Sequence, residues 1–292
     1  MMECRKDGDD LDSSSNSIHQ VTPRYAEKNT TSQLILIKNF WRSRNLFLKR
    51  FLAAGGKIVG NILCLAIYNV TCKGCGVYLV LADEDLLCRD CREKIARVRE
   101  YDRWRSKCTH CGRFLDHRYP LCGSCTLQPP LYRKHVSYSS YHDLLRELVL
   151  MYKYGGMERL KYLFADYYLE LYKAEIDEPF DYIVPVPQDR GRKREFVPVL
   201  EIVKTLSRRL GIPPLTRHLL KVKKTLPQVG LTRAQRIKNL DGAFRLKHPQ
   251  KIAGKKLLLI DDVYTTGTTI RQCVQLLVSQ EADVVVLTLA RS

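Results

Sequence analysis

The sequence predicts an α/β fold with a largely parallel sheet, preceded by a small metal-binding module, on three observations. Apolar runs of strand length alternate with amphipathic helical segments from about Leu144 to Leu289, the pattern that builds βαβ units. One of those runs, Leu257 to Ile260, leads into Asp261-Asp262 and a hydroxyl-rich turn, and ligands of open parallel sheets sit where strands end. Eight cysteines fall in four Cys-x-x-Cys pairs between Cys72 and Cys125, ahead of the alternating region.

Taken in chain order, residues 1 to about 33 are polar, lack apolar periodicity, and are predicted to be disordered. Leu34 to Leu52 mixes apolar and basic residues, among them Phe40, Trp41, Arg42, Phe47 and Arg50, as an amphipathic helix does. Two readings of it stand: a helix that touches anionic lipid or nucleic acid, and a helix that packs on its own protein. A short helical run to about Ala66 follows, then the cysteines, then a boundary at Pro129-Pro130. The expected divisions are therefore an extension at 1–57, a cysteine module at 58–130 and an α/β domain at 131–292.

Within the last part, Leu144, Leu145, Leu148, Val149 and Tyr152 share one helical face that stops at Gly155-Gly156. Tyr182 to Val186 reads as a strand, and Val199 to Leu206 as a helix ended by Gly211. A strand over Leu257 to Ile260, a helix burying Ile270, Cys273, Val274 and Leu277, and a strand over Val284 to Leu289 complete the pattern.

The charge balance is strongly basic. There are 49 Lys plus Arg against 31 Asp plus Glu, a formal +18 spread over both halves of the chain, which favours polyanionic or phosphorylated partners. Cysteines paired at metal spacing argue for a reducing, cytoplasmic compartment rather than a disulfide framework. The longest apolar stretch, Ile58 to Val70, contains Asn61 and Asn69 and falls short of the ~20 residues that span a bilayer, so no membrane span is expected. No signal peptide is visible.

The cysteines recur as Cys72-x2-Cys75-x12-Cys88-x2-Cys91 and Cys108-x2-Cys111-x10-Cys122-x2-Cys125. Each Cys-x-x-Cys turn presents two thiolates, and two turns complete the tetrahedron that Zn(II) prefers. Four sulfur ligands leave no position for a catalytic water, so both zinc sites are expected to be structural. Closure of each set on itself is the simpler topology; a cross-brace is the alternative. A thioredoxin-like redox role fits less well, because such motifs come singly on a βαβ unit. Cys4, Cys64 and Cys273 have no partners at metal spacing.

Between the two sets, Arg97, Arg99, Arg103 and Arg105 interleave with Tyr101 and Trp104. Guanidinium groups bind phosphates and aromatic rings stack on bases, the pairing used for single-stranded nucleic acid. A solvated helix with Glu93, Glu100 and Asp102 as internal partners accounts for it equally well.

The run Leu257 through Thr269 carries the most specific chemistry. Two adjacent carboxylates, Asp261 and Asp262, can accept hydrogen bonds from a pair of ribose hydroxyls. Val263, Tyr264, Thr265, Thr266, Gly267, Thr268 and Thr269 can wrap backbone N–H groups and hydroxyls around a phosphate at the start of the next helix. The plainer reading is an acidic strand end with threonine caps.

That strand, turn and helix resembles the ribose-phosphate motif of type I phosphoribosyltransferases, which use 5-phosphoribosyl-1-diphosphate (PRPP). Together with the cysteine module, the chain resembles the ComF family, phosphoribosyltransferase-like proteins associated with natural competence and DNA uptake. Val184-Pro185-Val186-Pro187, Lys224-Thr225, Pro227-Gln228, Leu231, Arg236, Asn239, Gly242-Ala243-Phe244 and Leu287 to Arg291 match further family segments, over about residues 58 to 292. The family usually shows Leu-His after the Val-Pro-Val-Pro strand and then Arg-Gly-Phe-Asn-Gln; here stand Gln188-Asp189, Arg190, Arg192-Lys193-Arg194 and Glu195-Phe196. Glu195 is expected to repel pyrophosphate unless it points away or holds metal.

The resemblance implies displacement of pyrophosphate from Mg-PRPP, with Asp261 and Asp262 on the ribose hydroxyls and the Val263–Thr269 turn on the 5-phosphate. Arg190, Arg192, Lys193 and Arg194, with Mg(II), would face the leaving group. Lys221 to Arg236 is expected to be a closing loop or else an ordinary surface loop. The resemblance also implies single-stranded DNA and a competence helicase as partners, and a non-catalytic adaptor that uses PRPP only as a ligand is the alternative to the enzyme.

Overall fold

The computed structural model describes residues 71–79, 86–116, 119–188, 196–223, 235 and 239–292. Contacts divide the chain after Tyr68, and all described residues belong to the second unit, Asn69–Ser292. The expectations for the 1–57 extension, the run to about Ala66, Arg190, Arg192, Lys193, Arg194 and Glu195 lie outside the described residues, as does most of Lys221 to Arg236.

Six strands are described. They are β1 (Lys134–Ser140), β2 (Tyr182–Pro185), β3 (Leu219–Lys221), β4 (Phe244–Leu246), β5 (Lys256–Tyr264) and β6 (Asp283–Arg291). Four form an all-parallel sheet in the order β1-β6-β5-β2, and β3 and β4 make a separate antiparallel pair. This is the α/β architecture the sequence predicts. Leu257–Ile260 and Val284–Leu287 are continuous apolar runs because both faces of the sheet are covered, as parallel strands require.

Side-chain alternation sorts those runs into two cores. Leu258 and Ile260 of β5 join Val285 and Leu287 of β6 on one face, against α3 (Asp143–Tyr154), α4 (Leu160–Glu175) and α5 (Pro198–Leu210). Leu257 and Leu259 join Val284 and Val286 on the other, against α6 (Thr268–Val278). Three helices match the predicted ones to within a few residues, and Gly211, at φ 71°, ends α5 in the left-handed conformation that favours glycine.

Two elements are not evident in the sequence pattern: β1 and α4. Helix α4 buries Leu160, Leu163, Phe164, Ala165, Tyr167, Tyr168 and Leu171, a band too wide to read as one amphipathic stripe. Strand β5 also runs further than its apolar segment. Asp261 pairs with Thr288 and Tyr264 with Arg291 of β6, so the two acids lie within the strand and not beyond its end.

Each cysteine cluster extends one of the two cores. Cys72, Cys88 and Cys91 pack with the α3 face, and Cys108, Cys111, Cys122 and Cys125 with the α6 face. Helix α1 (Arg89–Trp104) begins immediately after Cys88, and α2 (Gly123–Leu127) immediately after Cys122. The second thiol of each helix-borne pair, Cys91 and Cys125, thus sits in a first turn and is buried.

Asp102, 2% exposed near the end of α1, ties that helix to the sheet. Its carboxylate accepts from the Ser139 hydroxyl at 2.8 Å and the Ser140 N–H at 2.7 Å, at the carboxyl end of β1. Asp102→Ala strands a buried N–H and a hydroxyl, and is expected to lower unfolding stability by about 2–3 kcal/mol, read from urea melts. Ser139→Ala, which leaves the N–H bond intact, is expected to cost less than half as much.

Candidate functional site

A cavity of about 510 Å³ opens at the carboxyl ends of β2 and β5. These strands are neighbours, yet the helix that follows β2 covers one face of the sheet and the helix that follows β5 covers the other. The two connections diverge there and leave a crevice, the usual ligand position in open parallel sheets.

Asp261 and Asp262 both line this cavity, with Val263, Tyr264, Thr265, Gly267, Thr268 and Thr269. Thr266 stands in the same turn, its hydroxyl 2.9 Å from that of Thr268. The structure therefore gathers the acidic pair and the hydroxyl-bearing turn around one space. Val186, Pro187 and Gln188 close the β2 side, and Phe196, Val197 and Pro198 continue that wall.

Gly267 is the residue the turn cannot replace. Its φ of 75° is left-handed, and a Cβ built there would lie 2.2 Å from the Tyr264 hydroxyl oxygen and 2.4 Å from the ring carbon that bears it. The chain doubles back over the tyrosine ring and enters α6 with Gly267 as its N-cap. The next amides then stand at a helix N-terminus, whose positive end favours an anion.

The acidic pair is electrostatically unequal. Strand alternation sends Asp261 and Asp262 to opposite faces. On the α3 side, Lys153 Nζ is 2.7 Å from Asp262 Oδ1, and Gln188 donates to Asp262 Oδ2 at 2.9 Å. Burial alone would lower the Lys153 pKa, but the Asp262 carboxylate outweighs it and holds the ammonium raised. Asp261 makes a closer local bond, its Oδ1 accepting the Asp262 N–H at 3.0 Å. Burial first, and the Asp262 charge second, push the Asp261 carboxyl up to about 8. Tyr168 of α4 donates to the Asp261 carbonyl and fixes the backbone between them.

Lys153, Gln188 and Tyr168 contact the acidic pair without a sequence motif that singles them out. Lys153 carried one weak signal, a cation directly after the buried Tyr152 on the last turn of a helix that ends in Gly155-Gly156.

Both cysteine sets close on themselves, with all four sulfurs of each within 4.8 Å of one another. The Cys75–Cys88 and Cys111–Cys122 sulfurs are each 3.7 Å apart. Four Zn–S bonds of ~2.3 Å in a tetrahedron require an edge of about 3.8 Å, so the donor sets fit Zn(II). Burial opposes ionisation of Cys72, but N–H groups of Cys88, Cys75 and Gly74 draw its pKa down to about 6. Of the aromatic and basic residues between the sets, Trp104 is 84% and Tyr101 67% exposed. Arg99 is committed to the fold, paired with Glu170 and stacked 4.3 Å from the Tyr138 ring centre. Among the described residues, no helix is long and apolar enough to cross a membrane.

No protein-family model matches the chain. The chain is 30% identical over 220 residues to competence protein F of Haemophilus influenzae, covering 72% of this chain and 91% of that protein. It is 30% identical over 185 residues to the DNA utilization protein YhgH of Escherichia coli, covering 61% and 80% of the two chains. It is 27% identical over 218 residues to competence protein ComFC of Streptococcus pneumoniae, covering 74% and 92%. Among solved structures, an adenine phosphoribosyltransferase aligns over 48% of this chain and 75% of its own at 22% identity, with a TM-score of 0.31. The orotate phosphoribosyltransferase of Aeropyrum pernix aligns over 51% and 66% at 18% identity, also with a TM-score of 0.31.

Two outcomes follow from the geometry. Gly267→Ala forces a left-handed alanine against the Tyr264 ring, and is expected to lower stability by at least ~2 kcal/mol in thermal melts. Asp261 binds a proton in the folded chain over a range, from its ordinary 3.8 to about 8, in which the unfolded chain has released it. Stability attributable to this group therefore falls as pH rises through that window. Asp261→Asn is expected to remove the fall and to stabilise the ligand-free protein at pH 7 by on the order of 1–4 kcal/mol, with little gain at pH 4; paired urea melts at the two pH values check it.

Proposed function

This chain belongs to the ComF family of competence proteins, and from that premise we propose that it binds Mg-PRPP in the β2–β5 crevice and acts in the uptake or use of DNA. One observation carries the reading. Two carboxyl groups and a threonine-rich helix N-terminus line a single cavity of about 510 Å³, the donor and acceptor set that a phosphorylated pentose needs at opposite ends. Asp262, paired with Lys153, serves one ribose hydroxyl. Asp261, able to hold a proton near neutrality, can donate to or accept from the other. The turn from Thr265 to Thr269 receives the 5-phosphate at the start of α6.

Chemistry at this site is positioning and charge stabilisation rather than acid–base work. Cleavage of the bond from ribose C1 to pyrophosphate leaves positive charge on the sugar ring, which a nearby carboxylate such as Asp262 would favour. Mg(II), held mainly by the substrate's own oxygens, would supply the counter-charge for the leaving group. Arg190, Arg192, Lys193 and Arg194 follow β2 in sequence and are the cations proposed to join it. The acceptor of the phosphoribosyl group belongs to the same proposal as an open choice among ammonia, a nucleobase and a less usual nucleophile.

A second reading, an adaptor for single-stranded DNA, is favoured by a different observation. Trp104 leaves 84% of its surface in solvent at the end of α1, its indole N–H donating to Glu100, and a stacking base would find it there. Two relatives are named for competence and one for DNA utilization. The readings are compatible in one protein and separate over turnover.

Calorimetry with Mg-PRPP is expected to give saturable binding that Asp261→Ala with Asp262→Ala weakens at least about a hundredfold, without loss of the folded state in circular dichroism. Unchanged affinity in the double variant would falsify the site. Pyrophosphate release in the presence of an acceptor supports the enzyme. Salt-sensitive binding of single-stranded DNA that Trp104→Ala weakens by ~1–3 kcal/mol, with no pyrophosphate released, supports the adaptor.

A further inference from the structure

Arg291 of β6 is 5% exposed and sits between the second cysteine cluster and the phosphate turn. Its Nε donates to the Cys111 carbonyl at 3.0 Å, and its Nη1 donates to the carbonyls of Tyr264 at 2.9 Å and Thr265 at 2.8 Å. Nη2 lies 3.9 Å from Cys111 Sγ. Nη1 also reaches the Ser292 carbonyl. We propose that Arg291 is a positioning residue that makes the second four-cysteine cluster a structural part of the phosphate-binding turn, so that metal in that cluster and a phosphate ester in the pocket strengthen each other's binding. The inference rests on the reading of the crevice as a phosphoribosyl site.

Peptide geometry gives the first argument. In a trans peptide the C=O and the following N–H point in opposite directions. With the Tyr264 and Thr265 carbonyls drawn onto Arg291, the N–H groups of Thr265 and Thr266 are turned away from the guanidinium. The fork of one side chain thereby sets the orientation of two consecutive amides. A guanidinium can do this because its donors are rigidly spaced, whereas an ammonium cannot hold three carbonyls in fixed directions.

Charge gives the second. The guanidinium bonds main-chain oxygens and lies against a thiol sulfur, with no Asp or Glu side chain among its described partners. A buried cation needs a counter-charge. Zn(II) with four thiolates carries a formal charge of about −2, and Cys111, one of the four ligands, touches the guanidinium directly. Metal binding would thus stabilise the Arg291 charge, and Arg291 in turn holds the turn.

Three more contacts join the same two parts. The Tyr132 and Tyr264 hydroxyls are 3.1 Å apart. The His135 ring lies tilted against Tyr264, 4.4 Å between ring centres, with its Nδ1 3.1 Å from the Cys111 carbonyl. Arg271, in the first turn of α6, donates to the carbonyls of Gln128 at 2.6 Å and Pro129 at 3.2 Å, just past α2 and Cys125. The first cluster shares none of these bonds and lies instead against Leu144 of α3.

Binding linkage is reciprocal, so the effect can be read at the metal. Protein loaded with zinc is mixed with a chromophoric chelator, with and without saturating ribose 5-phosphate, and calorimetry reports separately whether the sugar phosphate binds. The expected result is two zinc equivalents per chain, of which one is released about fivefold or more slowly when ribose 5-phosphate is bound and the other is unaffected. Arg291→Lys, which keeps the charge and loses the fork, is expected to abolish the protection while still loading two equivalents. Ribose 5-phosphate that binds without slowing either equivalent overturns the coupling alone. Failure of ribose 5-phosphate to bind overturns the pocket reading and the coupling with it. Full protection in a folded Arg291→Lys variant, or a wild-type chain that loads only one equivalent, also overturns the proposal; the wild-type measurement decides it even if the variant does not fold.

Discussion

Two adjacent carboxyl groups buried in a central parallel strand are the constraint around which this molecule is arranged. A strand covered on both faces is normally apolar throughout, and β5 obeys that rule from Leu257 to Ile260 before placing Asp261 and Asp262 at 8% and 6% exposure. Burial of one carboxylate is costly and burial of two neighbours more so. The structure meets the cost unevenly. It gives Asp262 a lysine and an amide, and leaves Asp261 to relieve the repulsion by taking up a proton. Neither arrangement improves the fold compared with an apolar pair, and such strain is commonly kept where a ligand benefits from it.

The same constraint explains why α4, absent from the sequence pattern, lies where it does. Tyr168 on α4 donates to the Asp261 carbonyl, which holds the strand still at the point where its side chains repel. Lys153 reaches Asp262 from the last turn of α3, the helix on which the first cysteine cluster packs through Leu144. The second cluster backs the Thr265–Thr269 turn on the opposite face. The cysteine sets therefore brace the two walls of one crevice, each adding its thiols to the core of one face of the sheet.

What was legible in the sequence follows from which interactions are local. The strand–turn–helix from Leu257 to Thr269 could be read because its signals are contiguous: an apolar run, two acids, hydroxyls and the glycine at φ 75°. The cysteine sets were legible because a Cys-x-x-Cys turn is a local device, and closure of each set on itself needs only a short return of the chain. Lys153 and Gln188 were not, because what defines them is proximity to Asp262 across more than a hundred and more than seventy positions of sequence respectively, and nothing in their neighbours announces it. Strand β1 was hidden for a related reason. Ser137, Ser139 and Ser140 dilute its apolar pattern, and the bonds of the Ser139 hydroxyl and the Ser140 N–H appear only once Asp102 and the partner strand β6 are in place.

Arg291 shows the limit most sharply. Read locally, it is a basic residue after an apolar strand, and the ordinary inference is a solvated side chain. Its burial is intelligible only once β6 is seen to run beside β5 as far as Tyr264, bringing Arg291 level with the start of the threonine-rich turn and in reach of Cys111. Register is thus the agent that turns a separate-looking cysteine motif and a separate-looking ligand motif into one structure. A slip of one residue in the β5–β6 pairing would send the guanidinium to the other face of the sheet, uncouple the thiol cluster from the turn, and leave both motifs unchanged in sequence.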